Sequence, residues 1–137
     1  MLEIIHREDQ GIGILDLKGR LTLGLEDLEF RNDVENTLAS GKIRLVFNLS
    51  GLDELDTTGL GTILFAGGKA RDAGGNLAII NSNPSHVGAL IEAQMETTFE
   101  VFKSEREAVE SFFPDRNLHP YDILKFVELM KLQRPKA

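Results

Sequence analysis

The stretch IRLVFNLSGLDELDTTGLGTILFAGGKARDAGG, residues 43–75, carries the most decisive pattern in the chain. Its opening, Ile43 to Leu49, leaves only Arg44 and Asn48 polar. A run so apolar and so rich in β-formers suits an interior strand covered on both faces. From Thr58 to Ala73 the apolar and small residues Leu60, Ile63, Leu64, Gly67 and Ala70 recur at helical spacing, and Gly74 and Gly75 close the segment. Small residues there let the helix lie close to a sheet.

The same alternation continues on both sides. Toward the C-terminus, Asn76 to Asn81 reads as a short strand around Leu77, Ala78, Ile79 and Ile80. Asn83 with Pro84 then opens a helix with Val87, Leu90 and Ile91 inward, as a cap followed by a first-turn proline. Phe99 to Phe102 reads as another strand, and Ser104 with Glu107 forms a capping box ahead of Ala108, Val109 and Phe112. Toward the N-terminus, Leu2 and Ile4, then Ile12, Ile14, Leu15 and Leu17, with Gly11 and Gly13 around the break, predict a β-hairpin. Leu25 to Leu38 places Phe30, Val34 and Leu38 at four-residue steps among acidic and amide residues, an amphipathic helix that Gly41 ends with a left-handed cap. The order β-β-α-β-α-β-α-β-α predicts an α/β domain: a mixed sheet of about five strands, right-handed crossovers, and helices packed mainly on one face.

The domain is expected over residues 1–113. Residues 114–137 read as a linker, Pro114 to Asn117, and an extra C-terminal helix framed by Pro120, Asp122 and Lys131. Ile123, Val127 and Met130, with Phe126 beside them, form its apolar stripe. That stripe either packs back on the domain or makes a homodimer contact.

Composition narrows the functional classes. A chain of 137 residues with 42% hydrophobic content forms a core without staples. It has no cysteine, which removes disulfides, thiolate metal sites and thiol nucleophiles. No basic-then-apolar leader and no apolar run of membrane-spanning length is present, so the chain reads as untargeted and cytoplasmic, with no membrane association. A formal charge of −7, from 22 acidic and 15 basic residues, repels a phosphate backbone and argues against nucleic acid as a partner.

Catalytic and cofactor motifs fail on spacing. Gly67-Gly68-Lys69 resembles the end of a P-loop, but Ile63 stands where its first glycine belongs and Ala70 where its hydroxyl belongs. Gly59-Leu60-Gly61 is followed by Leu64 where a dinucleotide fingerprint needs Gly or Ala. His6, His86 and His119 are far apart and lack a second ligand at metal spacing, so each reads as a surface or cap residue. No serine has the flanks of a nucleophile elbow. No enzyme activity, cofactor or metal is therefore expected.

What remains is Leu55-Asp56-Thr57-Thr58-Gly59-Leu60-Gly61, between the probable central strand and its helix. In structural terms Asp56 or Thr57 caps the helix and the glycines allow close approach. In functional terms a hydroxyl at a helix N-terminus, beyond a strand's carboxyl end, is well placed for recognition or modification.

This segment resembles the STAS domain family, named for sulfate transporters and anti-sigma factor antagonists, whose signature Asp-Ser-Ser/Thr-Gly-Leu-Gly stands here as Asp56-Thr57-Thr58-Gly59-Leu60-Gly61. The likeness extends over Met1 to Phe113 through Leu17-Lys18-Gly19-Arg20-Leu21, Phe47-Asn48-Leu49 and Gly74-Gly75. It implies a bacterial partner-switching regulator of the anti-sigma factor antagonist type. In such a regulator Thr57, with Thr58 as the fallback, is phosphorylated by a serine/threonine kinase that is often itself the anti-sigma factor, and a PP2C-type phosphatase resets it. The resemblance also implies that Asp56, Thr57, Thr58, Gly59, Leu60 and Gly61 shape the surface a partner reads, together with Thr22, which stands where relatives commonly carry an acidic residue. Two other readings stay open: a constitutive scaffold or accessory subunit in which Thr57 only caps the helix, and a small-ligand module whose crevice, lined by Leu60, Thr57 and the strand ends, takes a nucleotide or lipid head group.

Overall fold

The structure, a computed structural model, describes residues 1–86 and 99–113. Along the chain come β1 (Leu2–Asp9), β2 (Ile12–Leu21), α1 (Leu25–Ala39), β3 (Arg44–Leu55), α2 (Thr57–Asp72), β4 (Asn76–Ile80), a 3-10 turn (Pro84–His86), β5 (Val101–Phe102) and a short helix, α3 (Glu105–Glu110). The five strands form one sheet in the order β1-β2-β3-β4-β5; β1 and β2 are antiparallel and the other pairs parallel. This is the mixed α/β sheet that the alternation predicts.

The hairpin turns at Gln10 and Gly11, both with positive φ (55° and 83°), the geometry that twists in the same hand as the flanking strands. Register then sets the layers. Leu15 pairs with Phe47, and Phe47 with Ile79, so that one row of side chains faces α1 and α2; the adjacent row, Ile14, Val46 and Ala78, faces the other way. The first face carries the larger core, including Phe30, Phe47, Leu49, Leu52, Leu60 and Ile63. The second is covered by Ala108 and Val109 of α3, with Phe102, Phe112 and Phe113 packed against it. Two of the described helices thus lie on one face and the third on the opposite face.

Both long helices end as their glycines predict. Gly41 N–H bonds to Leu38 O (3.0 Å) and Lys42 N–H to Thr37 O (3.4 Å), while Gly74 N–H bonds to Arg71 O (2.9 Å) and Gly75 N–H to Ala70 O (2.8 Å). Each pair satisfies carbonyls that the last turn leaves open, and both Gly41 (φ 96°) and Gly74 (φ 92°) hold the left-handed conformation this requires.

Several elements differ from the sequence reading. β3 continues six residues past Leu49, because β2 also continues and offers partners across a register shift: Gly51 to Lys18, Glu54 to Arg20, Leu55 to Leu21. Long-range pairing overrides the polar, glycine-containing composition of that stretch. Phe99 lies outside β5 and is buried against α2, where a Cβ on Gly67 would sit 2.0 Å from its ring. On α1, Thr37 is buried and Leu38 only partly so. At Pro84–His86, where a helix is expected to open, the described residues form a 3-10 turn; Val87, Leu90 and Ile91 lie outside the described residues, as do residues 114–137 with the expected linker and helix.

Candidate functional site

β3 ends at Leu55 and α2 starts at Thr57, so Asp56 alone makes the turn. Its backbone is extended (φ −106°, ψ 179°), as an N-cap must be. One carboxylate oxygen, Oδ1, accepts from the Gly59 N–H at 2.9 Å, and the other, Oδ2, accepts from the Leu23 N–H at 2.9 Å. Asp56 therefore fastens two things at once: the first turn of α2 and the connection between β2 and α1.

With the cap assigned to Asp56, Thr57 becomes the first helical residue. It is exposed, and its hydroxyl has no hydrogen-bond partner among the described residues. Thr58 is half-buried, and its carbonyl lies 3.3 Å from Thr62 Oγ1. Thr62, one turn further on and buried, donates its single hydroxyl proton to Asp27 and accepts from Arg31 at 3.3 Å, tying α2 to α1.

The two glycines of the segment have different reasons to be glycine. A Cβ on Gly59 would lie 2.4 Å from Leu21 O and 2.8 Å from Leu21 Cγ, so the first turn of α2 rests directly on the end of β2. Around Gly61, which is exposed, a Cβ would meet nothing within 4 Å. Leu60 is 1% exposed and belongs to the core. Of the segment, Thr57 and Gly61 thus present themselves to solvent, whereas Gly59 and Leu60 act from beneath.

Thr22, Asp53, Glu54, Leu55, Asp56, Ser85 and His86 line a shallow cleft of about 350 Å³ beside the turn. Three carboxylates on its wall oppose an anionic ligand. Leu60 is almost wholly buried, so it offers little surface to the crevice expected along Leu60, Thr57 and the strand ends. The sequence reading also missed His86: it is buried, with Nε2 3.0 Å from Leu52 O and 3.3 Å from Asn83 Nδ2, so it anchors the Asn83–His86 turn to β3 and is not a surface residue. His6, by contrast, is exposed and pairs with Asp33 (2.8 Å). Gly67-Gly68-Lys69 lies inside α2, so no phosphate-cradling loop exists there. Among the described residues no group of acidic and histidine side chains is arranged to hold a metal, and no helix is long and apolar enough to cross a membrane.

Comparison with known proteins places this architecture. The chain belongs to the STAS domain family, whose model matches residues 3–108. No curated protein matches the sequence. Among solved structures, an anti-sigma factor antagonist from Mycobacterium paratuberculosis superposes with a TM-score of 0.74 at 14% identity, covering 81% of this chain and 93% of that one. A putative anti-sigma factor antagonist from Thermotoga maritima gives 0.73 at 19% identity, with 79% and 92% covered. The Bacillus cell fate determinant SpoIIAA in its phosphorylated form gives 0.62 at 15% identity, with 82% and 99% covered. At these identities the likeness is one of fold.

Proposed function

We propose that this chain is an anti-sigma factor antagonist: unphosphorylated, it binds a cognate anti-sigma factor that is also a serine/threonine kinase, and phosphorylation of Thr57 releases it. The observation that carries this reading is the exposed Thr57 hydroxyl, free of any partner among the described residues, at the first position of α2. Thr58, half-buried, is the less accessible acceptor. The fold's likeness to proteins described as anti-sigma factor antagonists supports the same reading.

Phosphoryl transfer from ATP to Thr57 Oγ1 would add about −1.5 to −2 charges. Asp53 and Glu54 are exposed next to it and Asp56 precedes it, so a surface that docks over the neutral hydroxyl would meet a concentrated negative charge and a costly desolvation. A PP2C-type phosphatase restores the binding form by hydrolysing the phosphoester. Asp56, not Thr57, makes the cap, so the alternative of a constitutive scaffold or accessory subunit would leave the Thr57 hydroxyl without a role, and it predicts that Thr57→Ala leaves partner binding intact.

The test is to incubate the protein with ATP and lysate of its own host and to map added phosphate by mass spectrometry. Modification at Thr57, absent in Thr57→Ala, is expected. Thr57→Asp is expected to melt close to wild type while losing the partner; an unfolded Thr57→Asp variant, or phosphate found only elsewhere, refutes the reading.

A further inference from the structure

Three leucines stand exposed within six residues: Leu23 at 75%, Leu25 at 66% and Leu28 at 53% of full accessibility. The core stripe of α1 runs through Phe30, Val34 and Thr37. At 3.6 residues per turn, Leu28 lies about 160° and Leu25 about 140° around the helix from Phe30. Both are therefore on the solvent face, one turn apart and adjacent. Leu23 precedes them on the connection that Asp56 holds through the Leu23 N–H, so this apolar patch begins beside the residue preceding Thr57.

The surroundings of the patch are acidic. Glu29 follows Leu28 on the exposed side of α1, and Asp53 and Glu54 share a cleft wall with Thr22, the neighbour of Leu23. None of these three carboxylates makes an ion pair among the described residues, whereas Glu26 is met by Arg20 (3.7 Å) and the amino terminus (3.9 Å). A second copy of the chain would bring like-charged rims together, and an anionic bilayer or nucleic acid would be repelled.

We infer that Leu23, Leu25 and Leu28, rimmed by Glu29, Asp53 and Glu54, form the docking surface for a protein partner that presents an apolar groove flanked by lysine and arginine. The inference deepens the proposed function and rests on it: the patch adjoins Thr57, so charge added there enters the same interface.

The test uses the full chain and the host-lysate fraction that phosphorylates it. For the double variant Leu25→Ser/Leu28→Ser, whose changes leave the core untouched, the expected result is a KM for phosphoryl transfer raised at least about tenfold with kcat nearly unchanged, the signature of lost docking. Leu28→Lys, which also opposes the basic flanks of the groove, predicts the same loss, and added salt weakens the wild-type interaction. A KM within about twofold of wild type overturns the proposal.

A second arm separates this proposal from the switch. Immobilised wild type, Thr57→Ala and the double variant are incubated with host lysate at low and high salt. A protein retained equally by the first two, and lost from the third and at high salt, sustains the patch even if no phosphate ever reaches Thr57; only the switch then fails. Equal retention by all three overturns the patch. So does a wild-type dimer in analytical ultracentrifugation that the double variant dissolves, since the occupant is then a second copy.

Discussion

Gly59 and Gly61 sit two residues apart in the first turns of α2, and replacing each by alanine is expected to move stability in opposite directions. Both changes gain intrinsic helix propensity, about 0.5–1 kcal/mol over glycine. At Gly61 nothing opposes the gain, since a Cβ there meets open space. At Gly59 the new methyl would stand 2.4 Å from Leu21 O, a backbone atom. Leu21 cannot retreat freely: it ends β2, pairs with Leu55, and its carbonyl accepts from the Asp56 N–H at 3.4 Å. Overpacking against a fixed neighbour costs roughly 1–3 kcal/mol, occasionally more.

Gly61→Ala should thus stabilise by up to about 1 kcal/mol, while Gly59→Ala, whose methyl meets a backbone atom at 2.4 Å and so takes the upper end of that cost, destabilises by about 2–2.5 kcal/mol after the propensity gain is subtracted. Equilibrium urea unfolding resolves this gap, provided the m-value is unchanged so that the midpoints report stability alone. A melting-temperature difference of roughly 4–12 °C between the two variants is the thermal counterpart. A neutral or stabilising Gly59→Ala, or a destabilising Gly61→Ala, would refute the account of how α2 is seated on β2.

Other consequences follow from the same geometry. Asp56→Ala removes the acceptor of both the Gly59 and Leu23 N–H groups, and is expected to cost about 2 kcal/mol in urea unfolding, with Asp56→Asn recovering part of it. Gly67→Ala drives a methyl into the buried Phe99 ring and should destabilise by about 1–3 kcal/mol, an effect that Phe99→Leu in the same chain relieves. The Arg7 guanidinium, hydrogen-bonded to Asp16 at 2.6 Å, holds the Asp16 carboxyl below the usual carboxylate range against the opposing effect of burial, and Asn48 assists at 3.0 Å. Because the folded-state pKa is depressed, that stabilisation is complete above the unfolded value of about 3.9 and is lost as pH falls through the lower folded value. Arg7→Met should therefore raise the Asp16 midpoint in a carbon-detected NMR titration and move acid unfolding to higher pH.

The strand-helix alternation was legible in the sequence because burial on one or both faces imposes period 2 or 3.6 locally. The positions of the C-terminal caps were legible because Gly41 and Gly74 mark conformations other residues avoid. What escaped depends on distant pairing. β3 runs through Ser50-Gly51 only because β2 supplies partners there, and Phe99 leaves its strand only because Gly67 opens a slot on α2. At the site, the choice between Asp56 and Thr57 as cap was open in the sequence, since both residue types fill that position; the backbone geometry of Asp56 settles it. The exposed leucines had one sequence signal: Leu25 and Leu28 fall off the stripe marked by Phe30 and Val34. His86 offered none, because its burial depends on a carbonyl of Leu52, 34 residues earlier.

The assignment of the cap to Asp56 bears on how a switch at Thr57 would work. Had the threonine been the cap, modifying its oxygen would have removed the acceptor that starts α2, and the change would have been felt as lost stability. With Asp56 holding Gly59 and Leu23, the Thr57 hydroxyl supports nothing inside the chain. A dianion there is favoured by the helix terminus, typically by 0.3–1 kcal/mol at an exposed site, and opposed by the adjacent Asp56 and, from further back along β3, by Asp53 and Glu54, each by no more than about 1 kcal/mol per unit charge at 4 Å in water and by less at longer range. These contributions are small and partly cancel within the folded protein. In an interface that excludes water the repulsion is no longer screened, so the discrimination falls on the partner's affinity and leaves the fold intact.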